Sequence, residues 1–199
     1  MIQVLTPLPQ QLTVACSGGV DSMAAVDFLR RCHSVTVAYF DHGTAQATHC
    51  KLMLHRYCSQ HHLSLITAEI EHTKPKHESE EEFWRNQRYD FLHSIPGCVV
   101  TAHHLDDCVE TYLFNCMHGK HHTIPHVRGN VQRPFLTTAK SELISWCVRK
   151  SVPWVDDLSN NNPKYMRNLI RHEIVPQALK VNPGLRTVVR KMVIDSLSK

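Results

Sequence analysis

Two stretches of this chain hold residue types and spacings that do chemistry. The first is Ser17-Gly18-Gly19-Val20-Asp21-Ser22. It follows the apolar run Leu12 to Cys16 directly and opens a helical pattern. Two glycines let the backbone turn sharply and bring its N–H groups against an anion. The hydroxyls of Ser17 and Ser22 add donors, and the helix N-terminus adds partial positive charge. The loop is therefore read as a phosphate cradle formed by Ser17, Gly18, Gly19, Val20, Asp21 and Ser22. It is not G-x-x-x-x-G-K-[ST], and it carries no lysine of its own. An aspartate among phosphates repels them unless a cation lies between, so Asp21 implies Mg²⁺ and is the candidate metal ligand. The plain alternative is a Gly-rich turn in which Asp21 only complements the helix dipole.

The second stretch is Thr101-Ala102-His103-His104-Leu105-Asp106-Asp107-Cys108-Val109-Glu110-Thr111. Asp107 and Glu110 are three residues apart, which puts them on one face of a helix. The spacing of its His and Asp residues is not a recognised zinc pattern. A third stretch, His118 to His126, holds four histidines and is read as a polar loop rather than a metal site.

Both stretches need elements to position them. Strands are expected at Leu12–Cys16, Val35–Phe40, Leu63–Ala68 and Cys98–Ala102, with helices at Ser22–Arg31, Gln46–His61, Glu78–Ser94 and about 105–117. The strand runs are continuous rather than alternating, so they belong to a parallel sheet covered on both faces by helices. Ligands bind beyond the C-terminal ends of such strands, where both stretches fall. From residue 118 to 130 the chain reads as loop, then helix over Thr138–Lys150, an irregular crossing to Pro163, and helices over Lys164–Lys180 and Leu185–Ser198. The fold class is α/β with a small helical C-terminal extension. The domain division is an α/β core at 1–136 and a helical basic part at 137–199 packed on it.

Charge separates the same two regions. Residues 1–117 carry 8 Lys and Arg against 13 Asp and Glu, whereas 118–199 carry 14 against 5, within a net charge of +4. A basic part beside an acidic part suits a polyanionic partner. Eight cysteines show no C-x-x-C spacing, which argues against a zinc ribbon or an Fe–S cradle. They are expected to be reduced and mostly buried. No apolar run approaches the roughly 18 residues a bilayer span needs. Met1 to Pro7 does not resemble a signal peptide, so a cytoplasmic protein with no membrane partner is expected.

The phosphate loop as it stands resembles that of the N-type ATP pyrophosphatases, which cleave ATP at the α-phosphate. Further segments narrow the resemblance. Glu81-Glu82-Phe83-Trp84-Arg85-Asn86-Gln87-Arg88-Tyr89 has the E-E-x-x-R-x-x-R-Y look of the tRNA(Ile)-lysidine synthetases. Arg133-Pro134-Phe135-Leu136 with Lys140-Ser141-Glu142-Leu143 is similar to their R-P-L-L…K-x-E-[LI] stretch. Trp154-Val155-Asp156-Asp157-Leu158-Ser159-Asn160, then Arg167-Asn168, Ile170-Arg171 and Pro176, resembles their W-x-x-D-x-[ST]-N…R-N-x-[IL]-R…P signature.

The resemblance covers roughly residues 12–184. It implies an adenine-nucleotide α-hydrolase-like fold with ATP and Mg²⁺ as cofactors. The implied reaction adenylates C2 of the wobble cytidine in an isoleucine tRNA with a CAU anticodon, then joins free lysine, releasing AMP and pyrophosphate. By the family match His103, Asp107 and Glu110 handle lysine and the adenylate. Arg167 and Arg171 face the ATP phosphates or the tRNA, and Arg85 and Arg88 either join them or pair with Glu78, Glu81 or Glu82.

The match fails in three places. Asp41-His42-Gly43-Thr44-Ala45 lacks the family's usual H-G-L-R, and His118 to His126 stands where an R-G-x-G-like turn is usual. The family's further tRNA-binding domains have no counterpart in the residues after Asn182-Pro183-Gly184. Two other readings stay open: an AMP-forming tRNA thiolase with the same loop, and a non-catalytic nucleotide- or tRNA-binding relative.

Overall fold

The computed structural model describes residues 1–43, 46–70, 77, 79–156 and 166–198. Of the residues singled out above, Thr44, Ala45, Glu78, Asp157, Leu158, Ser159, Asn160, Pro163 and Lys164 lie outside the described residues, as does the side chain of Glu81.

Alternating strands and helices run through the first part: β1 (Gln11–Ala15), α1 (Val20–Leu29), β2 (Ser34–Asp41), α2 (Ala47–Gln60), β3 (Ser64–Glu69), α3 (Glu80–Ser94), β4 (Val99–Val100) and α4 (Leu105–Met117). A short hairpin follows, β5 (Val127–Arg128) and β6 (Val131–Gln132). Then come α5 (Lys140–Lys150), α6 (Met166–Leu169), a π-helical turn (Ile170–Ile174), α7 (Val175–Val181) and α8 (Leu185–Ser196). The strand order is β3-β2-β1-β4-β6-β5, and every described pair is parallel except β5 with β6. The α/β class with a helical C-terminal part is therefore observed.

The order reverses at β1, which has β2 on one side and β4 on the other. Thr13 faces Val99 and Val14 faces Val100 in register. The chain leaves both strands at the same sheet edge, so the Ser17–Ser22 loop and the His103–Glu110 stretch meet across the crevice that such a reversal creates.

Two expectations about the sheet need correcting. β4 covers two residues rather than five. Beyond it, the Thr101 N–H donates to the Gln132 carbonyl at 3.0 Å and the chain turns toward the site. The hairpin β5–β6 lies partly in the stretch read as loop. Two-residue strands carry no periodic signal, yet Val131 is fully buried opposite Val99 and widens the parallel sheet.

The helical extension is part of the packing. α5 lies on α1 in a core holding Met23, Val26, Phe135, Leu143 and Cys147. α8 lies on α4 through Leu105, Cys108, Val109, Leu185, Val189 and Val193. The Asp27 side chain, 2% exposed, is held between Arg30, Arg31, the Tyr57 hydroxyl and the Trp146 indole, which locks α1 to α2 and α5. All eight cysteines are free thiols, five of them buried. Among the described residues, no helix is long and apolar enough to cross a membrane.

The π turn has a local cause. Pro176, in the first turn of α7, has no N–H to offer the preceding turn. The Val175 N–H instead reaches back five residues to the Ile170 carbonyl.

Candidate active site

The phosphate loop is built as its sequence requires. Gly18 adopts φ +85°, and a Cβ there would meet Cys50 Sγ at 3.2 Å and Met53 Cε at 3.4 Å, so both conformation and space call for glycine. The Ser22 hydroxyl accepts from the Ser17 N–H at 3.2 Å and donates to the Gly19 carbonyl at 2.9 Å. The Ser17 hydroxyl lies 3.3 Å from that of Ser22. Val155 donates its N–H to the Gly18 carbonyl at 2.9 Å, so the segment after α5 braces the loop from outside.

Across the crevice His104 caps α4. Its Nδ1 accepts from the Asp107 N–H at 3.3 Å, while the Asp107 carboxylate accepts from the His104 N–H at 3.0 Å. This reciprocal box turns His103 and Asp107 toward the cleft and buries His104 behind them. His103 Nδ1 lies 2.8 Å from the Thr101 hydroxyl.

One cavity of about 460 Å³ joins these parts. Its wall includes Ser17, Gly19, Val20, Asp21 and Ser22 on one side, and His103, Asp107, Arg88, Lys140, Arg167 and Arg171 on the other. Gly18 stands behind the wall with its carbonyl taken by Val155. Glu110 also stands behind it: 5% exposed, it receives both arms of Arg171 at 2.7 and 3.0 Å, with Arg167 Nε 3.8 Å away. Arg171 extends to Asp107 as well, at 3.6 Å.

The electrostatics follow from this crowding. Burial pushes His103 down to about 3, helped by Arg133, Arg88 and Arg167, so it is neutral at pH 7. His104 moves the other way: burial opposes its charge, but the carboxylates of Asp107 and Asp21 more than offset that and raise its pKa. Burial pushes Asp107 up, yet His104 and Arg167 hold it below the usual carboxylate range. Arg88 is shifted down by burial and by its cationic neighbours, and its Nε, also buried, has no hydrogen-bond partner.

Asp21 is the group to test for a cation. Its Oδ2 lies 3.5 Å from His104 Nε2 and 3.8 Å from Lys140 Nζ. Its Oδ1 is buried with no hydrogen-bond partner. A bare carboxylate oxygen on the wall of a phosphate cradle fits Mg²⁺, which takes one or two carboxylates plus ligand phosphates. Among the described residues, no group of three or more His, Cys, Asp or Glu side chains is placed to hold a metal by itself. In the histidine loop, His118 binds the Phe114 carbonyl and His122 lies against Asn115.

Several residues were missed or misread in the sequence. The lysine that the loop lacks is brought to it by Lys140 at the start of α5, whose backbone N–H also binds Asp106 at 2.8 Å. His104, beside the expected His103, stands just before a helical run with an acid three residues on, which is a capping signal in the sequence. Arg133 of the R-P-F-L stretch is buried and structural, donating to the Pro125 carbonyl and the Tyr89 hydroxyl. Arg85 and Arg88 lie over the Tyr89 ring at 4.9 and 5.5 Å.

Comparison with known proteins agrees with this construction. The profile of the PP-loop domain family matches residues 3–178. The chain belongs to the PP-loop family. It is 31% identical to a tRNA(Ile)-lysidine synthase of Thermotoga maritima over 92% of its own length and 49% of that protein's. It is 32% identical to the one from Lactiplantibacillus plantarum, over 89% and 44%. The chain thus spans about half the length of these curated relatives. Among solved structures, the U34-tRNA thiolase NcsA from Methanococcus maripaludis with its [4Fe-4S] cluster superposes with a TM-score of 0.75 at 13% identity, over 94% of this chain and 71% of that one. NMN synthetase from Francisella tularensis gives 0.56 at 11%, over 92% and 87%. At such identities the likeness shows the fold alone.

Proposed function

We propose that this chain is an ATP-dependent tRNA-modifying ligase that makes lysidine. It adenylates C2 of the wobble cytidine of an isoleucine tRNA and joins the ε-amine of free lysine, releasing pyrophosphate and AMP. The observation that carries this reading is one cavity walled on one side by the phosphate loop and on the other by His103 and Asp107. Identity to lysidine synthases over nearly the whole chain supports the substrate class.

In this reading the loop amides and the Ser17 and Ser22 hydroxyls hold the pyrophosphate part of ATP. Lys140 beside Asp21, together with Arg88 and Arg167, opposes the charge of the departing pyrophosphate. Mg²⁺, held by Asp21 and the phosphates, would neutralise charge there. A free lysine amine has a pKa of about 10.4, so making the neutral nucleophile at pH 7 costs about 4.6 kcal/mol. Asp107, ionised at the wall, receives the ammonium, orients it and takes its proton as the amine attacks C2 and AMP leaves. His103 stays neutral and offers a hydrogen bond to the base or the adenylate. Glu110 acts through Arg171, which it fixes in place beside Asp107.

The other readings are separable. Burial pushes the Cys16 thiol at the cavity wall up to about 11 and Cys108 up to about 12; a thiolase would incorporate labelled cysteine-derived sulfur into tRNA, and a lysidine-forming ligase would not. A binding module without catalysis would release no pyrophosphate. The deciding experiment is mass spectrometry of tRNA nucleosides after incubation with ATP, Mg²⁺ and lysine. Appearance of lysidine supports the reading. Pyrophosphate without lysidine would redirect it to another AMP-forming modification.

A further inference from the structure

His104 has no part in the roles given above, yet it touches both halves of the cleft. Its side chain is 2% exposed. One ring nitrogen faces α4 and the other faces the phosphate loop. The Asp107 N–H donates to Nδ1 at 3.3 Å, which makes Nδ1 the acceptor. Nε2 then carries the ring proton, and it carries one equally when the neighbouring carboxylates hold the ring charged. Nε2 lies 3.5 Å from Asp21 Oδ2. Such contacts are often long without substrate and tighten on binding.

The consequence for Asp21 is directional. An aspartate in the first turn of a helix is free to fold back on the exposed N–H groups of its own helix. Asp21 does not: its Oδ2 is drawn toward His104 and Lys140, and its Oδ1 is left buried and unpartnered at the cavity. The restraint comes from the starts of α4 and α5, and not from the loop itself.

We propose that His104 is a positioning residue that aims Asp21, its Nε2–H holding one carboxylate oxygen so that the other faces the cation carried by the nucleotide. This rests on the reading of the cleft as a site for ATP with Mg²⁺, and not on lysine or tRNA as substrates. A plain cap of α4 would need only Nδ1. The two nitrogens therefore separate the two roles.

Asparagine and glutamine replace one nitrogen each. Asn is among the best N-cap residues and supplies an acceptor near the position of Nδ1, but it does not reach Asp21. Gln carries its amide N–H out to about the position of Nε2 and is a poor cap. The test measures ATP binding to the whole chain by equilibrium dialysis with and without Mg²⁺, alongside thermal unfolding, for wild type, His104→Asn, His104→Gln and His104→Ala. With His104→Asn we expect Tm to stay near wild type while the gain in ATP affinity on adding Mg²⁺ falls about ten-fold, the order expected for one lost hydrogen bond to a charged group. With His104→Gln we expect Tm to drop by about 2–4 °C, as for a lost cap, with much of the Mg²⁺-dependent gain retained. His104→Ala should lose both. An Asn variant that binds ATP and Mg²⁺ like wild type reduces His104 to a cap and overturns the proposal. So does a Gln variant no better than Ala in the Mg²⁺-dependent gain. A wild type that binds ATP with Mg²⁺ but forms no lysidine overturns the substrate reading and leaves this one intact.

Discussion

Arg171 closes both carboxylate oxygens of Glu110, donating from Nε at 2.7 Å and from NH2 at 3.0 Å. The pair joins the π turn to α4 directly beneath Asp107. Glu110 is 5% exposed and Arg171 about a quarter exposed in its side chain, so the contact is largely shielded from water. Removing Arg171 strips Glu110 of both close hydrogen bonds and leaves it only Arg167 at 3.8 Å, which costs about 3 kcal/mol. Arg171→Ala is expected to lower Tm by roughly 6–12 °C for a chain of this size. Glu110→Gln keeps an acceptor for the guanidinium and should cost about half as much. Equal and small losses in both variants, read by thermal or urea unfolding, would show that the pair is dispensable.

Asp21 and Ser17 test the phosphate loop. Asp21→Ala is expected to cut pyrophosphate release by at least about a hundred-fold, the scale of losing one preorganised charge-stabilising group. Ser17→Ala, which removes a donor at the mouth of the cradle, should be similarly impaired. Circular dichroism should stay that of the wild type, because the Asp21 side chain is not part of the packed core. Wild-type turnover in Asp21→Ala at any Mg²⁺ concentration would remove the cation from its assigned place.

The parts legible in the sequence were those with dense local signals. Ser17-Gly18-Gly19-Val20-Asp21-Ser22 announced its own backbone, down to the glycine at φ +85°. Continuous apolar runs announced β1 and β2 and hence a parallel sheet. Residues whose role is set by contacts far along the chain were not legible. Lys140 reaches Asp21 from 119 positions away, its Nζ lying 3.8 Å from Asp21 Oδ2. The family match gives Glu110 to lysine and the adenylate, and only the structure shows its carboxylate held by Arg171, delivered by a π turn. Val131 completes the sheet within a strand too short to carry periodicity.

Acid should act on this fold in two stages with different owners. His103 has its folded pKa pushed down to about 3, below the ordinary value of 6.5. The unfolded chain therefore binds its proton first, and stability falls as pH drops from about 6.5 toward 3. Asp27 has its folded pKa lowered: burial pushes it up, but Tyr57, Arg31, Trp146 and Arg30 together outweigh that. Its contribution is present above about pH 4 and is lost as pH falls through the folded pKa. His103→Asn should flatten the stability profile between about pH 6.5 and 4 relative to wild type. Asp27→Asn should be less stable at pH 7 and should lose less on going below about pH 4. Urea midpoints across pH check both, and identical slopes in wild type and His103→Asn would sink the first assignment.

The basic residues of the C-terminal part are not alike. Counting charge alone makes Arg186, Arg190 and Lys191 of α8 equivalent, but the structure divides them. Arg186 pairs with Asp106 at 2.9 Å, and the other Asp106 oxygen holds the Lys140 N–H, so Arg186 braces the starts of α4 and α5. Arg190 is half-buried and donates to the Thr137 carbonyl at 3.2 Å. Lys191 is exposed, as are Lys180 on α7 and Lys150 at the end of α5. If this region neutralises tRNA phosphates, the exposed lysines are the ones free to do so. Each contact removed should lower the slope of log affinity against log salt by about 0.7–0.9, values drawn from regular nucleic acid and a guide for folded tRNA. Lys180→Ala with Lys191→Ala is expected to reduce that slope by between one and two, with no change in Tm and no change in the KM for ATP. Arg186→Ala should instead lower Tm and disturb ATP binding through Lys140, while leaving the salt slope closer to wild type. Filter-binding across 50–200 mM salt separates these outcomes. A double lysine variant with the wild-type slope would mean that the exposed basic surface is merely solvated and that tRNA is held elsewhere.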